Sequence, residues 1–173
     1  AVNFCAWALL SPLAVKFQTA LHLTSFQQAL LVAVPVVVGS IGGSMIRSTS
    51  GVVIETRDLS RVRARMSDIV LVVGGDTSAI RRAVRSAPLV RWVARASKIA
   101  ERIGSVCSGA FVLAAAGVLD GRCVATHWSA CDELAAFRPQ VTVDRDSIFV
   151  KEGRVWTSVG VTTGIDMAFA MVE

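Results

Sequence analysis

The sequence predicts an α/β domain with a parallel-rich sheet flanked by helices, preceded by an apolar helical hairpin. Three observations lead there. From residue 51 onward, short β-branched runs alternate with segments of helical periodicity, the arrangement that gives parallel strands joined by right-handed crossovers. One of those runs, DIVLVVGGD, is apolar without alternation and ends in Gly-Gly, as a strand buried on both faces does. Finally, charge falls in three blocks: residues 1–46 carry only Lys16, residues 47–102 carry 12 basic and 5 acidic side chains, and residues 103–173 carry 5 basic and 8 acidic ones. The net charge of +5 over 173 residues is an average over unlike parts, so a boundary near residue 46 is expected, giving 1–46 and 47–173 as the two regions. With 53% hydrophobic residues the chain is too apolar for a disordered tail.

In the first region, residues 1–23 are apolar but interrupted by Pro12, Lys16, Gln18 and His22, and residues 26–46 hold no charge at all. About 20 apolar residues suffice to span a bilayer. The polar HLTSFQQ between them reads as a turn, with Thr24 or Ser25 as cap of the second helix. A signal peptide fits less well, because no basic residue precedes the first apolar run.

In the second region the elements follow in order. GVVIET reads as a short strand, RDLSRVRARMS as a short helix or loop, and DIVLVV as the buried strand. TSAIRRAVR and APLVRWVARASKI read as two helices, with Pro88 in the first turn of the second. In that helix Leu89, Val90, Val93, Ile99 and Ile103 recur at helical spacing. IGSV is a strand, and SGAFVLAAAG a helix ended by Gly117. CVATHW reads as a strand, SACDELAAF as a helix and VTVD as a strand; SIFV-KEGR-VWTS reads as a hairpin. VTTGIDMAFAMVE closes the chain as a helix capped by Thr162 or Thr163.

The chemistry concentrates at Cys107, which this reading places on a strand-to-helix turn. Such an elbow lifts a nucleophile above the sheet, at the positive end of a helix where an anionic sulfur is favoured. Ser108, Gly109 and Ala110 are small enough for the turn and for substrate approach. The Ser108 N–H is one candidate oxyanion donor, and Gly75, in the Gly74-Gly75 loop, offers a second. A small buried cysteine at a tight turn is the equally weighted structural reading. Cys107, Cys123 and Cys131, with Cys5 upstream, form no CxxC pair, and only two histidines are present, so neither a zinc site nor a disulfide scaffold is expected. A reducing, cytoplasmic setting is the default. Cys123 and Cys131 read as packing residues.

Arg81, Arg82, Arg85, Arg91, Arg95, Lys98 and Arg102 form a basic cluster. Nonspecific phosphate attraction is compatible with it, but no motif and no interleaved aromatic residue supports sequence reading, and a solvated helix face accounts for it.

Two resemblances add to this reading. Asn3-Phe4, Trp7, Ser11 to Val15, Ala29 to Pro35 and Gly39-Ser40 resemble the first helical hairpin of the nitrate/nitrite porter family of major facilitator transporters, over residues 3–41. Two helices form no alternating-access pathway, so transport is not expected, and possible membrane contact rests on 1–46. Gly74-Gly75, Val106 to Ala110, Leu119 to Arg122, Thr126-His127-Trp128, Val155 to Ser158 and Gly164-Ile165-Asp166 resemble the ThiJ/PfpI superfamily, with its class I glutamine amidotransferase-like fold. The version they most resemble is the sensing domain of AraC-type transcriptional regulators (the GlxA-like group), with isonitrile hydratases as relatives.

That resemblance implies Cys107 as the elbow cysteine and Gly75 as the oxyanion-loop position. It leaves His127, the only histidine of this region, as the available general base, with Trp128 beside it; packing beside Trp128 is the alternative. Asp166 is a weaker candidate to orient a base. No acid precedes Glu55, so the resemblance further implies a sheet without its first strand and an elbow without its acidic partner. The expectation is therefore a truncated ligand-sensing domain for an unknown small molecule, with no cofactor, no metal and no sequence-specific nucleic-acid contact of its own. A homodimer is left open. A cysteine-dependent hydratase, amidase or peptidase is the alternative, and an inactive membrane-anchored fusion the third reading.

Overall fold

The structure is a computed structural model that describes residues 45–47 and 53–172. The apolar hairpin, the porter resemblance and the missing first strand all fall on positions outside the described residues. Among the described residues no helix is long and apolar enough to cross a membrane. The chain divides into two compact units, 1–61 and 62–173. In the first unit, β1 (Met45–Arg47) pairs antiparallel with β2 (Val53–Glu55), Ile46 opposite Ile54, so the expected boundary at residue 46 falls inside a strand. A single 3-10 turn, Leu59–Arg61, follows.

The second unit is built on a four-stranded sheet in the order β3-β4-β8-β7. Strands β3 (Ile69–Val73), β4 (Arg102–Val106) and β8 (Val155–Ser158) run parallel, and β7 (Phe149–Glu152) is antiparallel to β8 across a two-residue turn. Gly153 enters that turn at φ 61°, a conformation in which a Cβ is strained. Between β3 and β4 come α1 (Thr77–Arg85) and α2 (Ala87–Ile99), split by Ser86 and restarted by Pro88 in the first turn, where proline lacks no needed N–H. Asp76 caps α1 through the Ala79 N–H at 2.8 Å.

The strands' two-residue period divides the core. Val70, Val72, Ile103 and Val155 face one side, where Val93 of α2 and the buried helix α3 (Ala110–Ala115) pack with Leu119, Val124 and Leu134. Val73, Val106 and Trp156 face the other, against Met167 and Met171 of α5 (Val161–Val172). Helix α3 ends as expected, with Gly117 at φ 70° just past it.

Four local expectations change. Ile103, expected on the apolar face of the second helix, lies in β4, because α2 ends at Ile99. The strand expected over 123–128 is only β5, Cys123–Val124, because the chain turns at Ala125 to give its N–H to Thr157 Oγ1 at 2.8 Å. Strand β6 is likewise only Thr142–Val143, and it pairs with β5 in a separate two-stranded sheet. Helix α4 (Cys131–Phe137) lies between them. At the last helix neither Thr162 nor Thr163 is the cap: α5 starts at Val161, and Thr163 Oγ1 instead reaches back to accept the Gly160 N–H at 2.8 Å.

Candidate functional site

Cys107 follows β4 directly and opens a 3-10 turn, Cys107–Gly109, that leads into α3. Its φ of 59° makes it the one non-glycine with positive φ among the described residues. A left-handed conformation costs an L-residue on the order of 1 kcal/mol, so the surroundings must impose it. They do so through close backbone approach. A Cβ on Gly109 would lie 2.1 Å from the Val72 carbonyl oxygen, so only glycine lets the turn press against β3. A Cβ on Gly74 would lie 2.7 Å from Ser108 Oγ and 3.0 Å from Cys107 Cβ, so the Gly74-Gly75 loop just past β3 is also pressed against the elbow. The Thr126 hydroxyl donates to the Cys107 carbonyl at 3.2 Å. Thr126 is placed by its neighbour Ala125, which is tied to Thr157 of β8. Thus the sheet itself carries the restraint that holds the strained turn.

The structure brings Cys107, Ser108, Gly74, Gly75 and the Thr126–Trp128 segment to the C-terminal ends of β3 and β4, the rim where open parallel sheets bind ligands. It changes the roles expected of two of them, Gly75 and His127. The Gly75 N–H donates to Ser108 Oγ at 3.2 Å, and the same hydroxyl lies 3.2 Å from the Gly75 carbonyl, so Gly75 clamps the elbow and is not an open oxyanion donor. His127 accepts the Ser129 N–H at Nδ1 (3.3 Å), with Ser129 Oγ 2.8 Å from the same nitrogen. A ring nitrogen that accepts an N–H carries the lone pair, so this network assigns the neutral ring's proton to Nε2. In that tautomer the outward nitrogen is a donor, the opposite of what a general base requires. Asp166 is exposed on α5 and makes no hydrogen bond with His127.

Cys107 is half-buried, and among the described residues no carboxylate or imidazole hydrogen-bonds its thiol. Trp128 is 76% exposed, its ring 5.3 Å from that of His127. The other two described cysteines are also free thiols; Cys131 is buried and directs Sγ to the His127 carbonyl at 3.7 Å. No described cluster of His, Cys, Asp or Glu has the arrangement to hold a metal.

Sequence reasoning missed Thr126 and Thr157 as the braces of the elbow, and Ser129 as the group that fixes His127. The His127-x-Ser129 spacing was the available signal, since a side-chain acceptor two residues before an N–H is the local capping pattern. It also missed three buried hydroxyls without a partner among the described residues, Ser86 Oγ and, on adjacent central strands, Ser105 Oγ and Ser158 Oγ.

A parallel-rich α/β domain with a strained cysteine between strand and helix defines the class of elbow-cysteine α/β proteins. Within it, the DJ-1/PfpI family model matches residues 21–173, and the chain belongs to that family. The match begins inside the apolar N-terminal stretch. The chain is 34% identical over 137 residues to the HTH-type transcriptional regulator GlxA of Rhizobium meliloti, covering 76% of this chain and 39% of that protein. It is 30% identical over 106 residues to an isonitrile hydratase of Pseudomonas putida, covering 61% of this chain and 44% of the hydratase. Among solved structures, a ThiJ/PfpI family protein from Pseudomonas syringae superposes with a TM-score of 0.66 at 28% identity, over 77% of this chain and 53% of its own. The chain thus spans less than half the length of these two curated relatives.

Proposed function

We propose that the domain is the ligand-sensing part of a transcription regulator, holding a small molecule at the Cys107 rim without turning it over. One observation carries the reading: the Cys107 thiol has neither carboxylate nor imidazole partner among the described residues, while His127 is held by Ser129 as a hydrogen-bond donor. Covalent catalysis by cysteine needs a base to accept its proton and an acid to return it. A donor at His127 Nε2 suits recognition of a carbonyl, carboxylate or similar acceptor. The resemblance to GlxA supports the same direction. The working protein is expected in the cytoplasm, free to act as a homodimer and needing no cofactor.

The second reading is a cysteine-dependent hydratase or amidase, favoured by the strained φ of Cys107 and by the hydratase relative. Thermal unfolding in the presence of a panel of small amides, amino acids and isonitriles separates the two. A sensor gains thermal stability with one of them, keeps that gain in Cys107→Ser, and consumes none. Turnover of an amide or isonitrile that disappears in Cys107→Ser overturns the sensing reading.

A further inference from the structure

The basic cluster read from the sequence as a solvated face takes a definite shape once α1 and α2 are placed. Both helices commit their apolar sides, Ile80 and Val84 of α1 and Leu89 and Val93 of α2, to the same side of the sheet. Their outward sides therefore form one surface. It presents Arg81, Arg82 and Arg85 from α1 and Arg91, Arg95 and Lys98 from α2, all exposed. The arm before β3 adds exposed Arg63 and Arg65, fastened to α2 by the Trp92 Nε1–H donating to the Val62 carbonyl at 2.7 Å.

Little nearby neutralises this surface: the Asp76 carboxylate reaches only Arg82. Over residues 62–102 the acids are Asp68, Asp76 and Glu101, and each has local employment. Asp68 accepts the Arg65 N–H, Asp76 caps α1, and Glu101 pairs with Arg102. Among the described residues none of the six helix cations makes a salt bridge. A face with this much uncompensated charge is unfavourable by self-repulsion and is relieved by a polyanion.

We infer that the α1–α2 face lies along the phosphate backbone of duplex DNA, contacting phosphates and no base edges. The spacing suits it. Arg91, Arg95 and Lys98 lie along about 10 Å of helix axis, a length over which a duplex displays about six phosphates. Five of the six helix cations are arginines, whose planar fork pairs bidentately with phosphate. A membrane surface is the poorer partner, because interfacial helices insert a row of aromatic and aliphatic side chains. Here Trp92, Ile80, Val84, Leu89 and Val93 are directed into the core, and Ile99 of α2 and Met66 of the arm are the exposed large apolar side chains of these segments. No groove-reading motif and no interleaved aromatic residue accompanies these arginines, which is consistent with contacts that position without specifying sequence. The inference draws on the regulator reading for its choice of polyanion, but its test does not involve the ligand site.

The test is fluorescence anisotropy of a random-sequence duplex of about two helical turns, titrated with the full chain from about 50 to 200 mM salt. We expect binding that weakens steeply with salt. The triple variant Arg91→Gln, Arg95→Gln, Lys98→Gln, at exposed positions with good helix formers, should lower the log–log salt slope by about 2.7 and the affinity at low salt by about tenfold or more. Arg81→Gln with Arg85→Gln should act in the same direction, and two unrelated duplex sequences should bind alike. No binding at low salt, an unchanged slope in both variants, or capture by phosphatidylglycerol vesicles in place of the duplex overturns the inference. Ligand stabilisation without duplex binding removes this surface and leaves the sensing reading; duplex binding beside Cys107-dependent turnover removes the sensing reading and leaves the surface.

Discussion

The two sides of the central sheet are built on different terms. Among the described residues the α3 side buries twelve apolar side chains, mostly Val, Leu and Ala, around a helix whose residues Ala110 to Ala114 are all buried. The α5 side buries four, and two of them are Met167 and Met171. Branched aliphatic residues have few rotamers and fix a unique packing; methionine adapts to irregular space. The strained elbow stands where the two sides meet: Gly109 and Ala110 belong to the rigid side, and Cys107 itself packs with the pliable one. The Cys107 sulfur is thus backed by a stiff frame and faces a side with room to adjust.

Substitutions test this asymmetry. The largest expected effect is Gly109→Ala, whose methyl group would collide with the Val72 carbonyl of β3. It should cost about 4 kcal/mol or more, or leave no cooperative unfolding transition in urea. Next, Leu113→Ala should cost about 3–5 kcal/mol and Met167→Ala about 2–3, although both side chains are fully buried. Equal losses in denaturant titrations would break the distinction between the sides. Asp76→Ala, which removes the cap of α1, should cost about 1 kcal/mol and reduce protection of the Ala79 amide from hydrogen exchange. Cys107→Gly should exceed Cys107→Ala in stability by about 1 kcal/mol, since glycine alone relaxes at φ 59°. If the two variants unfold alike, the elbow is not strained.

The smallest effect is a pH dependence. The Arg138 side-chain hydrogen bonds hold the Asp120 carboxyl below the usual carboxylate range, with the positive charge of Arg138 acting in the same direction. The folded chain then binds that proton less readily than the unfolded one. The stabilisation is present above the unfolded pKa and is lost as pH falls through the lower folded value. Asp120→Asn should flatten the acid limb of a stability–pH curve by lowering stability slightly at neutral pH and leaving it unchanged at low pH, a small effect because the pair is exposed.

The sequence disclosed most where one residue type has one physical use. DIVLVV reads as a strand and is one, although Ile69 and Leu71 are exposed where burial on both faces was expected; Pro88 sits in a first turn, and Gly117 ends its helix in a left-handed conformation. Cys107 was legible for the same reason, because its small neighbours suit a sharp turn. Legibility failed where several partners compete for one group. Thr126, His127 and Ser129 all have side chains able to bond the backbone locally, and which bonds form depends on Thr157 arriving from 32 residues downstream. The Thr163 back-bond to Gly160 shows the same ambiguity, since threonine fits both the cap and the third helical position.

The mixed direction of the sheet has a kinetic consequence. The β7–β8 hairpin closes across Gly153 and Arg154 and can form in microseconds, whereas β4 must find β8 across some fifty intervening residues. The Ser105–Thr157 register, and with it the Thr157 bond that reaches Ala125, belongs to the late, long-range pairing. The brace that the Cys107 carbonyl receives from Thr126 depends on that bond. The elbow is therefore among the last features to be set, and a chain arrested before β8 docks would carry Cys107 as an ordinary relaxed thiol.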